Sequence, residues 1–360
     1  MKNKIGIIGC GYVGLIFGLF LAREQSVIFF DNNKKRIKEF NAGDFSAIYE
    51  PGLSTYLKSN NFSFVDNIND LKSCDIIFIC VGTPNRKDGS LNTDFIDDVL
   101  SNINNLYFED TCEVIIRSTM PVGSSAKLFD KYINNKIEYG LNPEFLREGN
   151  AFSDLDNQNL VVLAPYKARL AKTKALYEKY ENIKLVSIET AELIKSANNS
   201  WHATKIVFAN EMDKICKKVG GDSAELMEVF MSDKKLNIST SYLRPGNPFG
   251  GSCLVKDTTD LASSYRSEFF QSIMDTNQTH IDDIVKKCMN YNLIGVEGIS
   301  FKRGTNDLRF SVGLYVAEKL VDNGKEVLVW DPIIKNGNFS FKIVDKDDLK
   351  LCDYIFKAHD

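Results

Sequence analysis

Two groups of residues in this 360-residue chain have the types and spacing to do chemistry. The first is Phe249-Gly250-Gly251-Ser252-Cys253-Leu254-Val255-Lys256-Asp257. A thiol can add to an aldehyde, and the thiohemiacetal so formed can lose a hydride to become a thioester. One cysteine therefore lets an alcohol reach the acid in two oxidations, after which water must cleave the thioester. Asp257, four residues on, lies one helical turn from Cys253 if a helix starts there, within reach of the thiol or the water. Taken alone, a cysteine after two glycines also reads as a small buried residue, and Asp257 as a helix-start or surface carboxylate.

The second group is Gly9-Cys10-Gly11-Tyr12-Val13-Gly14, followed by Asp31. The apolar pattern sets it between a strand Lys4–Ile8 and a helix Val13–Arg23, with Asp31 ending the next strand, Ser26–Phe30. Gly9 permits the tight turn, Gly11 lets backbone approach a pyrophosphate, and Gly14 lets the helix pack closely. The first helical turn, with Tyr12 and Val13, supplies donors and a favourable dipole. Asp31 is placed to accept hydrogen bonds from the adenosine ribose and to repel a 2′-phosphate, which selects NAD over NADP. FAD uses the same fingerprint and is the competing ligand.

The elements that must hold these groups alternate. Further buried strands are expected at Ile76–Val81, Val114–Arg117 and Leu160–Leu163, giving a doubly wound α/β domain over roughly the first 180 residues. From Thr190 to about Val219 the period becomes helical, with Ile194, Ala197, Trp201, Lys205, Phe208, Met212 and Ile215 at three-and-four spacing, ended by Gly220 and Gly221. Helix follows at Ser223–Met231, a Pro/Gly-rich loop at Arg244–Gly251, and more helix to about Asn290. A second α/β pattern has strand Leu293–Gly298, helix Val312–Asp322, strand Glu326–Trp330 and one further strand, Tyr354–Lys357. The expected domains are 1–190, binding NAD; 191–290, helical, with the Cys253 loop; and 291–360, a smaller α/β domain.

Composition excludes other classes. Apolar residues make up 44% of the chain and charged residues 26%, ordinary for a folded domain. A net charge of -4 offers no global field for nucleic acid or anionic lipid, so an anionic ligand must be held by local donors. The eight cysteines are scattered without a CxxC pair, which fits reduced thiols in the cytoplasm, and no metal site is expected. Lys2 and Lys4 before the apolar run Ile5–Ala22 imitate a targeting signal, but five glycines and the continuation into a second strand argue against a leader or membrane anchor.

The motifs together resemble the UDP-glucose/GDP-mannose dehydrogenase family of nucleotide-sugar 6-dehydrogenases. Besides the two groups above they include Glu50-Pro51-Gly52-Leu53, Cys80-Val81-Gly82-Thr83-Pro84, Arg117-Ser118-Thr119, Asn142-Pro143-Glu144-Phe145-Leu146-Arg147-Glu148 and Phe301-Lys302, in the family's order over nearly the whole chain. The resemblance implies a Rossmann-type N-terminal domain, a central long-helix dimerisation region and a second α/β domain. It implies Cys253 as nucleophile, Lys195 and Asn199 as donors to the thiohemiacetal oxyanion, and Glu144 as acid/base for thioester hydrolysis. Thr119 and Asp257 are then expected to order the water. Lys195 and Asn199 fall one turn apart on one helix face; by itself Lys195 reads as a solvated helix lysine.

By the same resemblance Thr83 and Ser118 face nicotinamide and phosphates, and Glu148 touches cofactor or substrate, although Glu144 and Glu148 can trade roles. Phe145, Leu146 and Arg147 are expected to grip the sugar nucleotide, with Tyr242, Arg244, Phe249 and Gly250 as a second gripping loop and Lys302 reaching the sugar or diphosphate. Arg244 alone also reads as a surface arginine. Arg309 is implied at the cofactor site, but Phe310 stands where the family usually has an acid. Family members usually continue beyond the point where this sequence stops, through more strands and a terminal helix, which implies either an abbreviated base pocket or a longer chain of which this sequence is a part. Trp201-His202-Ala203-Thr204-Lys205 and the loop from Lys235 to Gly246 are closest to GDP-mannose members, with UDP-glucose as the other substrate. Two other readings remain: a β-hydroxyacid-type dehydrogenase, needing no thiol, and a non-catalytic binder of NAD or a sugar nucleotide.

Overall fold

The computed structural model describes residues 3–59, 61–132, 134–234, 242 and 245–359, without the side chains of residues 211, 214, 215, 218 and 265. The chain forms two compact units, Met1–Ser196 and Ala197–Asp360.

The first unit holds an eight-stranded sheet made of β1 (Lys4–Ile8), β2 (Ser26–Phe30), β3 (Phe62–Val65), β4 (Ile76–Ile79), β5 (Cys112–Ile116), β6 (Ile137–Leu141), β7 (Val161–Tyr166) and β8 (Ile183–Leu185). Their order is β3-β2-β1-β4-β5-β6-β7-β8. Every pairing is parallel except β6 with β7. Helices cover both faces, so the central strands β1, β4 and β5 are near-continuous apolar runs. One face buries Phe17, Phe29 and Phe78; the other buries Leu100, Phe108 and Phe129. The apolar run after Lys4 is thus β1, the glycine turn and helix Tyr12–Leu21. Strands β3, β6 and β8 escape the sequence reading because each is short, polar in part or broken by glycine.

The boundary between units falls within one 31-residue helix, Ile188–Lys218. Helices Ser223–Ser232, Ser252–Tyr265 and Glu268–Cys288 follow. The second unit ends in a four-stranded parallel sheet, β9 (Leu293–Glu297), β10 (Glu326–Trp330), β11 (Lys342–Ile343) and β12 (Tyr354–Lys357), in the order β11-β10-β9-β12. After Asp331 there are therefore two strands, not the single one expected; β11 has only two residues and no apolar run to announce it.

This second sheet repeats the strand order of the start of the first, β3-β2-β1-β4, and matches it at corresponding turn and strand-end residues. Gly9 and Gly298 each turn at φ 96° after the first strand. The Gly9 N–H donates to Phe30 O at 2.9 Å, and Gly298 N–H to Trp330 O at 2.7 Å. Asp31 Oδ2 accepts from Cys10 N–H at 2.8 Å, and Asp331 Oδ2 from Ile299 N–H at 2.9 Å. Asp75 Oδ2 accepts from Lys4 N–H, and Asp353 Oδ2 from Leu293 N–H, both at 2.9 Å. The copies differ at the turn: Ser300 follows where the first has Gly11, and the His359 ring stands 2.5 Å from where a Gly298 Cβ would lie, its Nε2 2.7 Å from Ser300 O. The second turn is filled by its own side chains.

Candidate active site

In the first unit the expected residues gather at the carboxyl ends of the strands: Gly9 after β1, Asp31 after β2, Thr83 after β4, Ser118 and Thr119 after β5, Glu144 after β6. Ligands of open α/β sheets bind at this edge. A cavity of about 820 Å³ opens there, lined by Gly9, Gly11, Asp31, Cys80 and Gly82 among others. The glycines divide the labour. A Cβ on Gly14 would lie 1.9 Å from Gly9 O and one on Gly9 2.8 Å from Cys80 O, so these two close the turn; a Cβ on Gly11 would meet nothing within 4 Å. Gly11 therefore leaves open the space a pyrophosphate needs, at the N-terminus of helix Tyr12–Leu21. The residues present fit NAD.

Asp31 is buried, and its two oxygens take the N–H groups of Cys10 and Asn33, each at 2.8 Å, which fixes the carboxylate at the cavity wall. Arg36, unforeseen in the sequence, lines the same cavity and lies 3.6 Å from Asp31. Ser118 Oγ donates to Val81 O at 2.7 Å and so ties the end of β5 to that of β4. Glu192, also unforeseen, accepts from Gly123 N–H at 2.6 Å and Ser125 N–H at 2.7 Å, pinning the turn that follows Thr119.

Glu144 and Lys195 meet in this unit, Nζ to Oε1 at 2.9 Å, both buried. The solvated-lysine reading of Lys195 is thereby excluded. Glu144 Oε2 also accepts from Leu146 N–H at 2.6 Å. Burial pushes its carboxyl upward, but the Lys195 ammonium, the Leu146 N–H and the Arg117 guanidinium outweigh it and hold the group below the usual glutamate range. Glu144 is therefore an ionised carboxylate at neutral pH. Arg117, part of the Arg117-Ser118-Thr119 motif but without an expected role, is 3% exposed and lies 3.9 Å from the Phe17 ring centroid. Its Nη1 donates to Asn142 Oδ1, and the Tyr177 hydroxyl donates to the same oxygen at 2.5 Å. This buried network fixes the base of the loop that carries Glu144.

Phe145 and Leu146 are half-buried, the former with its ring centroid 5.8 Å from Lys195 Nζ. Arg147 is exposed and pairs with Asp154 at 2.5 Å; Glu148 is half-buried.

The second unit presents the cysteine. Cys253 is the exposed thiol among the eight; six others are buried and Cys352 is half-buried. It sits in the first turn of helix Ser252–Tyr265. Asp257, one turn on, is fully buried, with Oδ1 2.6 Å from Lys256 Nζ and Oδ2 accepting from the Asn199 amide. Phe249 is locked by Asn277, which accepts its N–H at 2.9 Å and donates to its carbonyl at 3.0 Å. A Cβ on Gly250 would lie 2.3 Å from Phe310 O and one on Gly251 2.6 Å from the Phe301 ring. The 249–252 backbone thus lies directly on residues 301–310, and only glycine fits both places.

Lys302 Nζ lies 5.4 Å from the Phe301 ring centroid. Arg309 is held by Asp307, Nη2 to Oδ2 at 2.5 Å, and belongs to this unit rather than to the one with the glycine turn. Tyr242 is exposed, and its ring centroid lies 5.3 Å from the ammonium of the buried Lys205. Arg244 and the loop residues 235–241 lie outside the described residues. Among the described residues no helix is long and apolar enough to cross a membrane.

Fold and cavity define a dinucleotide-binding α/β protein whose turn fits NAD. Residues 3–181 match the NAD binding domain, and residues 189–279 the central domain, of the UDP-glucose/GDP-mannose dehydrogenase family. The chain belongs to that family of NAD-dependent nucleotide-sugar dehydrogenases. It is 34% identical over 353 residues to the GDP-mannose 6-dehydrogenase of Pseudomonas putida, a match covering 91% of this chain and 80% of the relative. It is 33% identical over 354 residues to a UDP-glucose 6-dehydrogenase of Bacillus subtilis, covering 92% and 80%. The solved structure of a UDP-glucose dehydrogenase from Pyrobaculum islandicum is similar with a TM-score of 0.89 at 27% identity, covering 100% of this chain and 90% of that one.

Proposed function

We propose that this chain oxidises the C6 alcohol of a sugar nucleotide to a carboxylate through covalent intermediates on Cys253, with GDP-mannose preferred over UDP-glucose. The observation that carries the mechanism is the exposed Cys253 thiol, one helical turn before a buried Asp257 held by Lys256 and Asn199. NAD, when bound, accepts the hydride in each of the two oxidations. Cys253 adds to the aldehyde, and Lys195 and Asn199 donate to the oxygen of the adduct. Glu144, already ionised, takes a proton from the water that attacks the thioester; the carboxylate leaves and the thiol is restored. Thr119 and Asp257 orient that water. Phe145, Leu146, Arg147, Tyr242, Arg244, Phe249, Gly250 and Lys302 hold the sugar nucleotide, Thr83, Ser118 and Arg309 the cofactor side, and Glu148 touches cofactor or substrate.

Residues 1–190 then bind NAD, 191–290 carry the thiol, and 291–360 hold the nucleotide. A reactive thiol needs a reducing compartment, the cytoplasm. Leu193, Trp201 and Phe208 are exposed at seven- and eight-residue spacing on helix Ile188–Lys218, an apolar stripe suited to a dimer, which light scattering tests. The preference for GDP-mannose rests on the sequence of Trp201–Lys205 and of the loop from Lys235 to Gly246; similarity to the archaeal UDP-glucose enzyme favours the second substrate.

The test is NADH formed per sugar nucleotide consumed, with GDP-mannose and UDP-glucose in separate cuvettes. About two NADH from one substrate, abolished in Cys253→Ala, supports the reading. About one NADH, retained in that variant, replaces it with a single-oxidation enzyme; NAD binding without turnover replaces it with a non-catalytic binder.

A further inference from the structure

Glu50, from the motif Glu50-Pro51-Gly52-Leu53, has no part in the chemistry above, yet it is 5% exposed and surrounded by donors. Its Oε2 accepts a short hydrogen bond from the Tyr12 hydroxyl and a 2.7 Å bond from Gly149 N–H; its Oε1 accepts from Ala151 N–H at 2.7 Å. The Tyr12 oxygen takes a further bond from Gly149 N–H at 3.2 Å. Burial, and then the bond to Glu50, push the phenol far above its ordinary pKa, so it stays a donor. Capping the short helix Ala151–Asp156 accounts for the bond from Ala151 N–H. It does not account for the phenol. Tyr12 is the first residue of the helix behind the glycine turn, and Gly149 and Ala151 end the loop that starts at Glu144, so one buried carboxylate joins two segments that lie 137 residues apart at Tyr12 and Gly149.

We propose that Glu50 is a positioning residue that makes occupancy of the glycine turn and ordering of the 144–151 segment a single event. A dinucleotide on the turn fixes the start of the helix and with it Tyr12; Tyr12 holds Glu50, and Glu50 holds Gly149 and Ala151. Because such a link is reciprocal, whatever orders the loop also favours the dinucleotide. Its consequence for catalysis rests on the reading that this loop carries Glu144 and the sugar-nucleotide contacts; the link itself does not.

The experiment is hydrogen exchange of the full chain with and without saturating NAD, followed by mass spectrometry on peptides covering residues 144–152, in wild type, Glu50→Gln, Tyr12→Phe and the double variant. In wild type NAD slows exchange of this segment by about tenfold; the slowing is lost in each single variant, and the double variant is no worse than either. Tyr12→Phe removes one oxygen and keeps both backbone bonds to Glu50, so it carries the test if Glu50→Gln does not fold. A fluorescence titration of each variant sets the saturating NAD concentration. Protection by NAD that persists in Tyr12→Phe, or that is absent from wild type, overturns the proposal. In turnover, both variants raise KM for the sugar nucleotide at saturating NAD, and KM for NAD at saturating sugar nucleotide, by a similar factor of about ten, and change kcat much less. Wild-type protein that turns over neither sugar nucleotide sinks the functional reading while the exchange result still decides the link.

Discussion

The Lys195 ammonium and the Glu144 carboxylate form a 2.9 Å pair in which neither group is more than a tenth exposed. Removing one partner from such a pair strands the other charge. Glu144→Gln is therefore expected to lower stability by about 3 kcal/mol, and Lys195→Met likewise, while the double variant recovers most of the loss. Urea melts of the four proteins give the cycle; additive losses would show that the pair carries no coupling.

The same pair sets a pH dependence. The Glu144 carboxyl lies below its ordinary value, the cation's attraction outweighing burial. A depressed carboxylate adds stability that is present above its unfolded pKa and is lost as pH falls through the folded one. In activity, the acid limb of kcat/KM is expected below the usual glutamate range and should rise in Lys195→Met, since burial then acts with less opposition. A limb that does not move in that variant assigns the titration to another group.

Accessibility singles out Cys253. Iodoacetamide is expected to modify Cys253 first and the half-buried Cys352 next, with the six buried thiols spared in the folded protein. Mass spectrometry of the labelled chain identifies the site, and loss of turnover should track the first label. Inactivation that follows Cys352 instead would sink the assignment.

Asp31 has Arg36 at 3.6 Å and Lys34 on the same cavity wall. The carboxylate excludes a 2′-phosphate that the two cations would otherwise attract. Asp31→Asn should lower the kcat/KM ratio of NAD over NADP by about tenfold or more, the size of one lost hydrogen bond to a charged group. An unchanged ratio would mean that discrimination lies elsewhere.

Strands β1, β2, β10 and β12 coincide with their sequence-predicted bounds because each centres on a short β-branched or aromatic run, which in β1 and β2 is nearly continuous since both faces are buried. β11 was not legible, because two residues at an edge carry no period. The duplication was written in Leu71-Lys72-Ser73-Cys74-Asp75 and Leu349-Lys350-Leu351-Cys352-Asp353, but its meaning needs the fold: Asp75 and Asp353 earn their place by accepting the first N–H of a neighbouring strand. The glycine turn with Asp31 could be read directly because its parts are local. Arg117, Glu192 and Glu50 could not, since their partners lie 25 to 101 residues away.

The glycines offer a test that separates fold from ligand. Gly11 has φ -73°, open to any residue, and a Cβ there meets nothing within 4 Å, so Gly11→Ala should change stability by no more than about 0.5 kcal/mol. That Cβ stands in the space left for the pyrophosphate, so NAD affinity should fall by about tenfold or more. Gly14 and Gly313 hold the same position in the two copies, where a Cβ would lie 1.9 Å from Gly9 O and 2.1 Å from Gly298 O. Alanine at either forces helix and turn apart and should cost about 1–3 kcal/mol. Thermal melts with and without NAD read both effects. Gly11→Ala with wild-type NAD affinity would place the pyrophosphate away from this turn, and a Gly313→Ala as stable as wild type would mean that the second copy lacks the close packing its glycine implies.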